Sequence, residues 1–375
     1  MARVQISGTG LFTPKESISN EELVSSFNKF VDEYNESNKE SIQKGEISAL
    51  EKSNADFIEK ASGVKSRYVQ DKSGILDTSF MRPKLRERSE NELSNLAEIG
   101  SIAARDAISN AKIDPENIDA VIVACSNLER PYPAIAIEIQ NELGIKGFAY
   151  DMNVACSSAT FGIQNIYDMI KSGSIRSALM INPEMCSGHL NFKDRDCHFI
   201  FGDVATAVVL EELKEEQVSD NCYEVLGTKL LTEFSNNIRN NYGFLNNSSP
   251  EGIGKADKLF HQNGRKVFKE VVPKVANLIK DHLESYSIDI NNIKGMYLHQ
   301  ANESMNKLIS KYLLGFEADQ SLAPIVLDEY ANTSSAGSII AFHKNNENLS
   351  KNDLAIICSF GAGYSIGNVI VKKIA

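Results

Sequence analysis

Three side chains in this sequence could together act on a carbonyl compound. Cys156 stands in DMNVACSSATFGIQ, residues 151–164, after an extended apolar run and before a row of small residues that opens a helix. A thiolate is a good nucleophile, and backbone N–H groups at a helix N-terminus lower the pKa of a cysteine placed there. The pattern therefore favours a nucleophile with a lowered pKa, whereas the alternative is a free cysteine that only fills the core.

His299 and Asn332 are the two residues whose side chains could stabilise a negative charge. His299 lies in LHQAN and Asn332 begins NTSSAGS. A neutral imidazole and a carboxamide both donate hydrogen bonds, so together they can hold an oxyanion without a full positive charge. The FGAG run at 360–363 adds flexible backbone whose N–H could join that of Cys156 in a second oxyanion hole. Taken singly, His299 would be structural and Asn332 a turn or cap residue.

One segment resembles a metal site. CSGHLNFKDRDCH places Cys186, His189, Cys197 and His198 close together. Their spacing matches none of the usual zinc patterns, and Arg195 lies among the ligands that such a site would need. The sequence therefore predicts no metal.

The chain contains an internal repeat of whole half-domains. Four pairs of segments match in the same order: 113–127 with 288–302, 4–11 with 223–230, 151–159 with 328–336, and 177–184 with 353–361. A repeat of this length indicates two similar halves and not a solenoid. We predict an N-terminal half over 1–215 that carries the cysteine, and a C-terminal half over 216–375 that carries the histidine and asparagine.

Strands alternate with helices in both halves, which predicts an α/β fold. Short β-rich runs predict strands over 119–124, 177–182, 204–210, 295–298, 354–358 and 366–371. The polar segment 28–56 is predicted to be a surface insertion. Because duplication gives both halves equivalent strand ends, Cys156, His299 and Asn332 are expected around a common centre where the halves meet.

Composition limits the possible partners. Among 375 residues, 42% are hydrophobic and 24% charged, as in ordinary globular proteins. The net charge of −11 argues against binding to nucleic acid or to anionic membranes. We predict a cytoplasmic protein with reduced thiols, because the six cysteines are scattered, no apolar run could span a bilayer, and the start lacks a signal-peptide pattern.

The motifs resemble those of the β-ketoacyl-acyl-carrier-protein synthase III family, in the thiolase-fold group of condensing enzymes. The resemblance rests on ACSSATFGIQ, LHQAN, NTSSAGS and SFGAGYSIG, and covers nearly the whole chain apart from 28–56. It implies a thiolase-like fold in layered αβαβα form from two duplicated halves. It also implies a homodimer that needs no cofactor, because its substrates are an acyl-CoA and a malonyl-acyl-carrier protein.

The resemblance also implies a two-stage reaction. Cys156 would take an acyl group from acyl-CoA, and malonyl-acyl-carrier protein would then lose CO₂. His299 and Asn332 would stabilise the resulting enolate, which attacks the acyl group. The N–H groups of Cys156 and Ala362 would hold the second oxyanion, while Phe360 keeps the malonyl carboxylate in an apolar setting that favours decarboxylation.

Substrate contacts follow from the same resemblance. Phe57 occupies the position of an aromatic residue, commonly tryptophan, that grips CoA, and Arg195 would lie on the other side of the adenine. Tyr132 matches a position whose side chain reaches across the dimer and forms the bottom of the acyl tunnel. The overall pattern is closest to the subgroup that accepts medium-chain primers and gives β-ketodecanoyl-type products.

Docking of the carrier protein is less clearly encoded. The basic residue that the family often has five positions after the histidine is Ser304 here. Docking must then depend on neighbouring basic residues, namely Arg265, Lys266, Lys307 and Lys311.

Several alternatives remain open at the level of sequence. An acetyl-primed initiation synthase and a condensing enzyme of specialised metabolism would share the same catalytic residues. A papain-like hydrolase has Cys, His and Asn in the same chain order, but it would leave the duplication and the FGAG run unexplained. A non-catalytic thiolase-fold binding protein is disfavoured because all three chemical residues are present.

Overall fold

Strands and helices alternate in a computed structural model that describes residues 2–214, 221–252 and 254–375. The strands are β1 Val4–Phe12, β2 Glu16–Ser19, β3 Ser66–Val69, β4 Ala120–Ala124, β5 Phe148–Met152, β6 Ser177–Met185, β7 Asp203–Glu212, β8 Tyr223–Thr232, β9 Ile238–Arg239, β10 His261–Gln262, β11 Ile293–Leu298, β12 Leu354–Gly361 and β13 Ser365–Lys373. The helices are α1 Asn20–Ser37, α2 Lys39–Gln43, α3 Ala55–Ser62, α4 Lys72–Leu76, α5 Asn95–Ala111, α6 Ile135–Glu142, α7 Ser158–Lys171, α8 Gly264–Ser285, α9 Glu303–Leu314, α10 Leu327–Tyr330 and α11 Gly337–Asn345. All six predicted strands are present.

The main sheet shows the duplication directly. Within the described residues it has nine strands in the order β5-β4-β6-β7-β1-β8-β13-β12-β11. Reading outward from the centre, β1-β7-β6-β4 in the first half corresponds to β8-β13-β12-β11 in the second. The two halves join where β1 pairs with β8 in antiparallel fashion, with Val4 opposite Val225. The predicted two-fold repeat is confirmed.

The helices form the alternating layers that the repeat predicts. The central helix α7 packs against β4, β6 and β7 of the first half and β8, β12 and β13 of the second, and α11 packs against strands of both halves. Helices α5 and α6 cover the outer face of the first half-sheet, while α8 covers that of the second and carries α9. A helix that packs against both half-sheets must be apolar or small on most sides, as the buried residues 337–342 of α11 are. The layered αβαβα fold is confirmed.

The catalytic motifs lie at the carboxyl ends of the parallel strands in each half-sheet. β4, β5 and β6 run parallel, as do β11 and β12, so their carboxyl ends point in the same direction within each half. Cys156 follows β5, and His299 follows β11 directly. Ligands of open parallel sheets bind at such strand ends.

The polar segment 28–56 differs in detail from the predicted insertion. Its first residues continue α1, which begins after a capping box formed by Ser19 and Glu22. Val31 is buried, and Asn35 exchanges two hydrogen bonds with the backbone of Leu50. Position 28 is therefore in the middle of a helix and is not where an excursion starts.

Three further predictions concern the chain as a whole. The predicted boundary between residues 215 and 216 lies outside the described residues. In the part of the chain that is described, none of the helices is long and apolar enough to cross a membrane. The same residues contain no group of three or more His, Cys, Asp or Glu side chains arranged to hold a metal ion.

Candidate active site

Cys156 is presented by a strained turn between β5 and α7. Ala155 has a φ of 48°, a left-handed conformation that costs energy for a residue with a side chain. Two hydrogen bonds hold the turn: Ala155 N–H donates to Asn153 Oδ1 at 2.8 Å, and Ser157 Oγ donates to the carbonyl of Ser365 at 2.9 Å. The second bond ties the turn to the other half of the molecule.

The Cys156 thiol receives hydrogen bonds from the second half but remains protonated. Ser334 Oγ donates to Sγ at 3.3 Å, and the Ala362 backbone also hydrogen-bonds to the thiol. Burial raises the pKa of Cys156 to about 11, and these bonds offset only part of that rise. The prediction of a lowered pKa was wrong, because α7 begins only at Ser158 and desolvation outweighs the helix N-terminus.

His299 is a buried and neutral imidazole. It is 2% exposed, and its ring lies edge-on to Phe360 with centroids 5.2 Å apart at 87°. Asn306 Nδ2 donates to the His299 carbonyl at 3.1 Å. Burial lowers the pKa of His299 to about 4, so the ring is uncharged at neutral pH. A neutral donor is what the sequence predicts at this position.

Asn332 is oriented so that its amide nitrogen is left as the donor. Ser334 N–H donates to Asn332 Oδ1 at 2.9 Å, which fixes the amide and leaves Nδ2 available. The Asn332 backbone N–H donates to the carbonyl of Ile200 at 2.9 Å, and Gly202 N–H donates to the Asn332 carbonyl at 3.1 Å. The asparagine of the second half is thus held by backbone of the first half.

Two cavities meet at the thiol. The first, of about 760 Å³, is lined by Cys156, His299, Asn332 and Phe360 together, so the structure brings the predicted catalytic residues into one space. The second, of about 770 Å³, also reaches Cys156 and includes Ala362. A thiol at this junction can receive a group from one cavity and extend it into the other.

The predicted CoA contacts are arranged differently from the expectation. Phe57 lines the first cavity, but the Arg195 guanidinium lies directly over its ring, 4.7 Å from the centroid. Arg195 Nε also donates to the carbonyl of Lys52 at 2.8 Å. An adenine was expected between Phe57 and Arg195, but the two side chains are in cation–π contact and leave no space for it. They would have to separate to admit an adenine.

Tyr132 is exposed and does not line the site of its own chain. Its side chain is 81% exposed, and within the described part of the chain it lies outside the lining of both cavities. A role in the site of the same chain is therefore not supported by its position.

The four basic residues predicted for docking are not equivalent. Arg265 lines the first cavity at the start of α8, and Lys266 beside it is exposed. Lys311 is exposed on α9, whereas Lys307 is paired with Glu303 at 2.7 Å. Lys307 therefore has the least charge to offer a partner.

Three residues of the site were not predicted from the sequence. Ser334 bonds the thiol, and Gly361 lies so close that a Cβ there would be 2.6 Å from that of Cys156. Glu184, at the end of β6, is fully buried and hydrogen-bonded to serines of both halves. Burial raises the pKa of Glu184, and these hydrogen bonds oppose the rise. Ser334 and Gly361 lie within quoted motifs, while the only signal for Glu184 is a charged residue ending an apolar strand.

Comparisons with known proteins agree on one family. The family model of 3-oxoacyl-(acyl-carrier-protein) synthase III matches residues 150–228, and the model of its C-terminal part matches residues 283–373. The chain is 56% identical to the beta-ketodecanoyl-(acyl-carrier-protein) synthase of Pseudomonas aeruginosa over 348 residues, or 93% of this chain and 99% of the relative. It is 30% identical to the beta-ketoacyl-(acyl-carrier-protein) synthase III of Clostridium acetobutylicum over 312 residues, or 81% and 93%.

The fold comparison agrees. The crystal structure of 3-oxoacyl-(acyl-carrier-protein) synthase III from Aquifex aeolicus matches with a TM-score of 0.77 at 22% identity, covering 98% of this chain and 99% of that one. The 56% identity to the Pseudomonas aeruginosa synthase sets aside the hydrolase and the non-catalytic alternatives. The chain belongs to the 3-oxoacyl-(acyl-carrier-protein) synthase III family and is an acyltransferase of the condensing type.

Proposed function

We propose that the protein condenses a medium-chain acyl-CoA with malonyl-acyl-carrier protein to give 3-oxoacyl-acyl-carrier protein in fatty acid biosynthesis. The observation that carries the proposal is the thiol of Cys156 at the junction of two cavities, beside two neutral hydrogen-bond donors. One cavity would admit the carrier arm and the other would hold the acyl chain.

In the first stage, Cys156 Sγ attacks the thioester carbonyl of the acyl-CoA. The new Sγ–carbon bond replaces the bond to the CoA sulfur, and the thiol proton leaves with CoA. Because the Ala362 backbone already hydrogen-bonds to the thiol, its N–H and that of Cys156 would hold the tetrahedral oxyanion.

In the second stage, malonyl-acyl-carrier protein loses CO₂, and its thioester oxygen takes the negative charge. His299 and Asn332 Nδ2 would donate to this enolate oxygen. The neutral imidazole suits the task, since a charged ring would also bind and stabilise the ground-state carboxylate. Phe360, edge-on to His299, keeps the leaving carboxylate in an apolar setting. The enolate carbon then attacks the acyl carbonyl, the bond to Cys156 Sγ breaks, and the thiolate takes up a proton from water to restore the thiol.

The primer is proposed to be of octanoyl length. The relative at 56% identity is named for a beta-ketodecanoyl product, and malonyl supplies two carbons of such a chain. The second cavity, at about 770 Å³, is of a size that encloses small ligands. An acetyl primer is the competing outcome.

A second copy of the chain is the proposed partner at the edge of the main sheet. β5 is an edge strand of this sheet, and Phe148 at its start is 46% exposed. An uncovered edge strand invites pairing. Pairing through β5 would bring the exposed Tyr132 toward the partner copy. There it could form the bottom of the partner's acyl cavity, as the sequence suggests.

The remaining proposals concern conditions and docking. The steps above use only thiol, imidazole, amide and backbone groups, so we propose that no cofactor or metal takes part. All six cysteines are free, which fits action in the reducing cytoplasm. The carrier protein is proposed to dock on Arg265, Lys266 and Lys311.

Intact-mass measurement of the enzyme after exposure to acyl-CoAs of increasing length tests both nucleophile and primer. We expect an adduct with octanoyl-CoA in preference to acetyl-CoA, and none in Cys156→Ala. A preference for acetyl would overturn the proposed primer, and an adduct on the Cys156→Ala variant would overturn the nucleophile.

The division of roles is tested by His299→Ala. This variant should still be acylated by octanoyl-CoA but should form 3-oxoacyl product from malonyl-acyl-carrier protein far more slowly. The removal of an oxyanion donor costs about 10²–10³-fold in turnover. If acylation fell as far as condensation, the assignment of His299 to the second stage would be wrong.

A further inference from the structure

Glu184 is a buried carboxylate that none of the proposed steps uses. It is the last residue but one of β6 and is 0% exposed. Four hydrogen bonds from two serines satisfy it: Ser126 N–H at 3.0 Å and Oγ at 2.6 Å, Ser335 N–H at 3.2 Å, and the Ser335 hydroxyl. A carboxylate is costly to bury without hydrogen bonds, so these four bonds hold the segments that carry the two serines in place.

The two serines belong to different halves of the molecule. Ser126 follows β4 in the first half, whereas Ser335 lies in the loop before α11 in the second, within its 3₁₀ turn Ser334–Ala336. Oε1 alone accepts from Ser126 N–H, Ser335 N–H and the Ser335 hydroxyl. Glu184 therefore joins a strand end of one half to a loop of the other through a single oxygen.

That loop carries two groups of the active site. Ser334 N–H orients the Asn332 amide, and Ser334 Oγ donates to the Cys156 thiol. Ser334 also has a φ of 51°, so the loop holds a conformation that a free chain would avoid. An anchor immediately after Ser334 keeps this strained residue in place.

We infer that Glu184 is a positioning residue for condensation: by fixing Ser335 it holds the loop 332–335, and with it the Asn332 amide, against the first half. The inference rests on the proposed function, because it assigns Asn332 to the malonyl stage. Acylation depends mainly on the Cys156 turn, which bonds to Asn153 and Ser365 hold, and on the Ala362 backbone. Of the loop, Ser334 Oγ reaches the thiol, so displacement of the loop costs acylation this hydrogen bond but costs condensation the Asn332 donor.

Two substitutions at Glu184 distinguish the loss of its hydrogen-bond acceptors from a change in side-chain shape. Glu184→Met keeps an unbranched side chain of similar length but offers no strong acceptor. Glu184→Gln keeps one carbonyl oxygen, which can replace Oε1 and accept three of the four bonds, while its NH₂ can donate to Ser126 Oγ. The glutamine variant should therefore rescue what the methionine variant loses.

The measurement is the ratio of condensation with malonyl-acyl-carrier protein to single-turnover acylation by octanoyl-CoA. Glu184→Met should lower condensation on the order of 10²-fold, as displaced catalytic groups do, and acylation far less. Glu184→Gln should stay near the wild-type ratio. Ser335→Ala should lower the ratio as well, and the double variant Glu184→Met/Ser335→Ala should be no worse than the poorer single variant, because both break one connection.

Thr206→Val is the matched control for lost stability. Thr206 is also fully buried, and its hydroxyl donates to Asn182 Oδ1 at 3.1 Å, a bond between two strands of the first half. This variant should lose stability without changing the ratio. A wild-type ratio in Glu184→Met, or a glutamine variant as impaired as the methionine variant, overturns the inference. If Glu184→Met does not fold, Ser335→Ala alone decides it, and a wild-type ratio there overturns the inference. A wild-type enzyme that acylates but never condenses would instead overturn the proposed function.

Discussion

At the scale of single residues, the Cys156 thiol is poorly reactive until a substrate arrives. With a pKa of about 11, only about one thiol in 10⁴ is ionised at pH 7. The bonds from Ser334 and the Ala362 backbone lower that pKa in part and also define where the sulfur lies. Reactivity then depends on placing a thioester carbonyl against a fixed sulfur, more than on a large resting population of thiolate.

Gly361 is the residue that leaves room for this sulfur. A Cβ at position 361 would lie 2.6 Å from Cys156 Cβ and 3.0 Å from Sγ. Position 361 closes strand β12, where alanine is conformationally acceptable, so Gly361→Ala should fold yet displace the thiol. We expect octanoyl transfer to fall on the order of 10²-fold by stopped-flow or intact-mass kinetics.

Gly188→Ala is the control for that change, because a Cβ at Gly188 would meet nothing within 4 Å. It should acylate like the wild type. Undiminished acylation in Gly361→Ala would show that the sulfur has more freedom than the structure allows it.

The sequence predicts the reacting groups better than their supports. Cys156, His299 and Asn332 are residue types with obvious chemistry, and they precede or follow recognisable β-rich runs. Ser334 and Glu184 become important only through contacts between the two halves, which residue spacing does not encode. The pKa of Cys156 was predicted in the wrong direction for the same reason, since burial is a tertiary property.

At the scale of elements, short β-rich runs predicted the strands of the core, while a polar surface concealed one helix. All six β-rich runs correspond to strands of the structure. By contrast, α1 runs on through Ser37 because Phe27 and Val31, four positions apart, share one buried face among charged neighbours. The polar composition of 28–56 hid that face.

The helices α8 and α9 carry the proposed docking residues, and their charges can be tested separately. Lys266→Glu and Lys311→Glu should each raise the KM for malonyl-acyl-carrier protein about 10-fold at low salt, because opposite charges steer encounter. The KM for octanoyl-CoA should not change, and the effect should shrink as salt screens the charges.

The control for docking lies on the same helix. Lys280→Glu reverses an exposed charge near the end of α8, about 20 Å from Lys266 at the rise of a helix. It should leave both KM values as they are. A rise equal to that of Lys266→Glu would indicate a general effect of net charge and would contradict a local docking surface.

At the scale of the whole molecule, stability should depend on keeping several imidazoles neutral. Burial lowers the pKa to about 4 for four histidines spread over both halves, namely His189, His198, His282 and His299. Unfolding returns each to its ordinary value near 6.5, so between pH 6.5 and 4 the unfolded chain binds more protons than the folded one. Stability therefore falls as pH falls through this range.

Buried carboxyls work in the opposite direction, Asp203 most clearly. Burial raises the pKa of Asp203 to about 6, so the folded state binds its proton first, and acidification below pH 6 favours folding through this group. Burial also raises the pKa of Asp151, Glu184 and Glu211 and lowers that of His343. Carboxyls titrate near pH 4 in the unfolded chain and histidines near pH 6.5, so the histidines dominate above pH 5. The net expectation is still a loss of stability on acidification, beginning near pH 6.5, where the surface carboxylates do not yet titrate.

The free energy of unfolding, measured by urea denaturation between pH 7.5 and 5, tests this expectation. It should fall steadily below pH 6.5, with a slope that corresponds to a net uptake of more than one proton on unfolding. His282→Gln isolates one contributor, because its amide oxygen can replace Nδ1 as acceptor for Asn368 Nδ2, bonded at 2.8 Å, while removing a titrating group. That variant should lose less stability over the same pH range. A free energy that stays flat from pH 7.5 to 5 would mean that water reaches these imidazoles and that their pKa values are close to those of the unfolded chain.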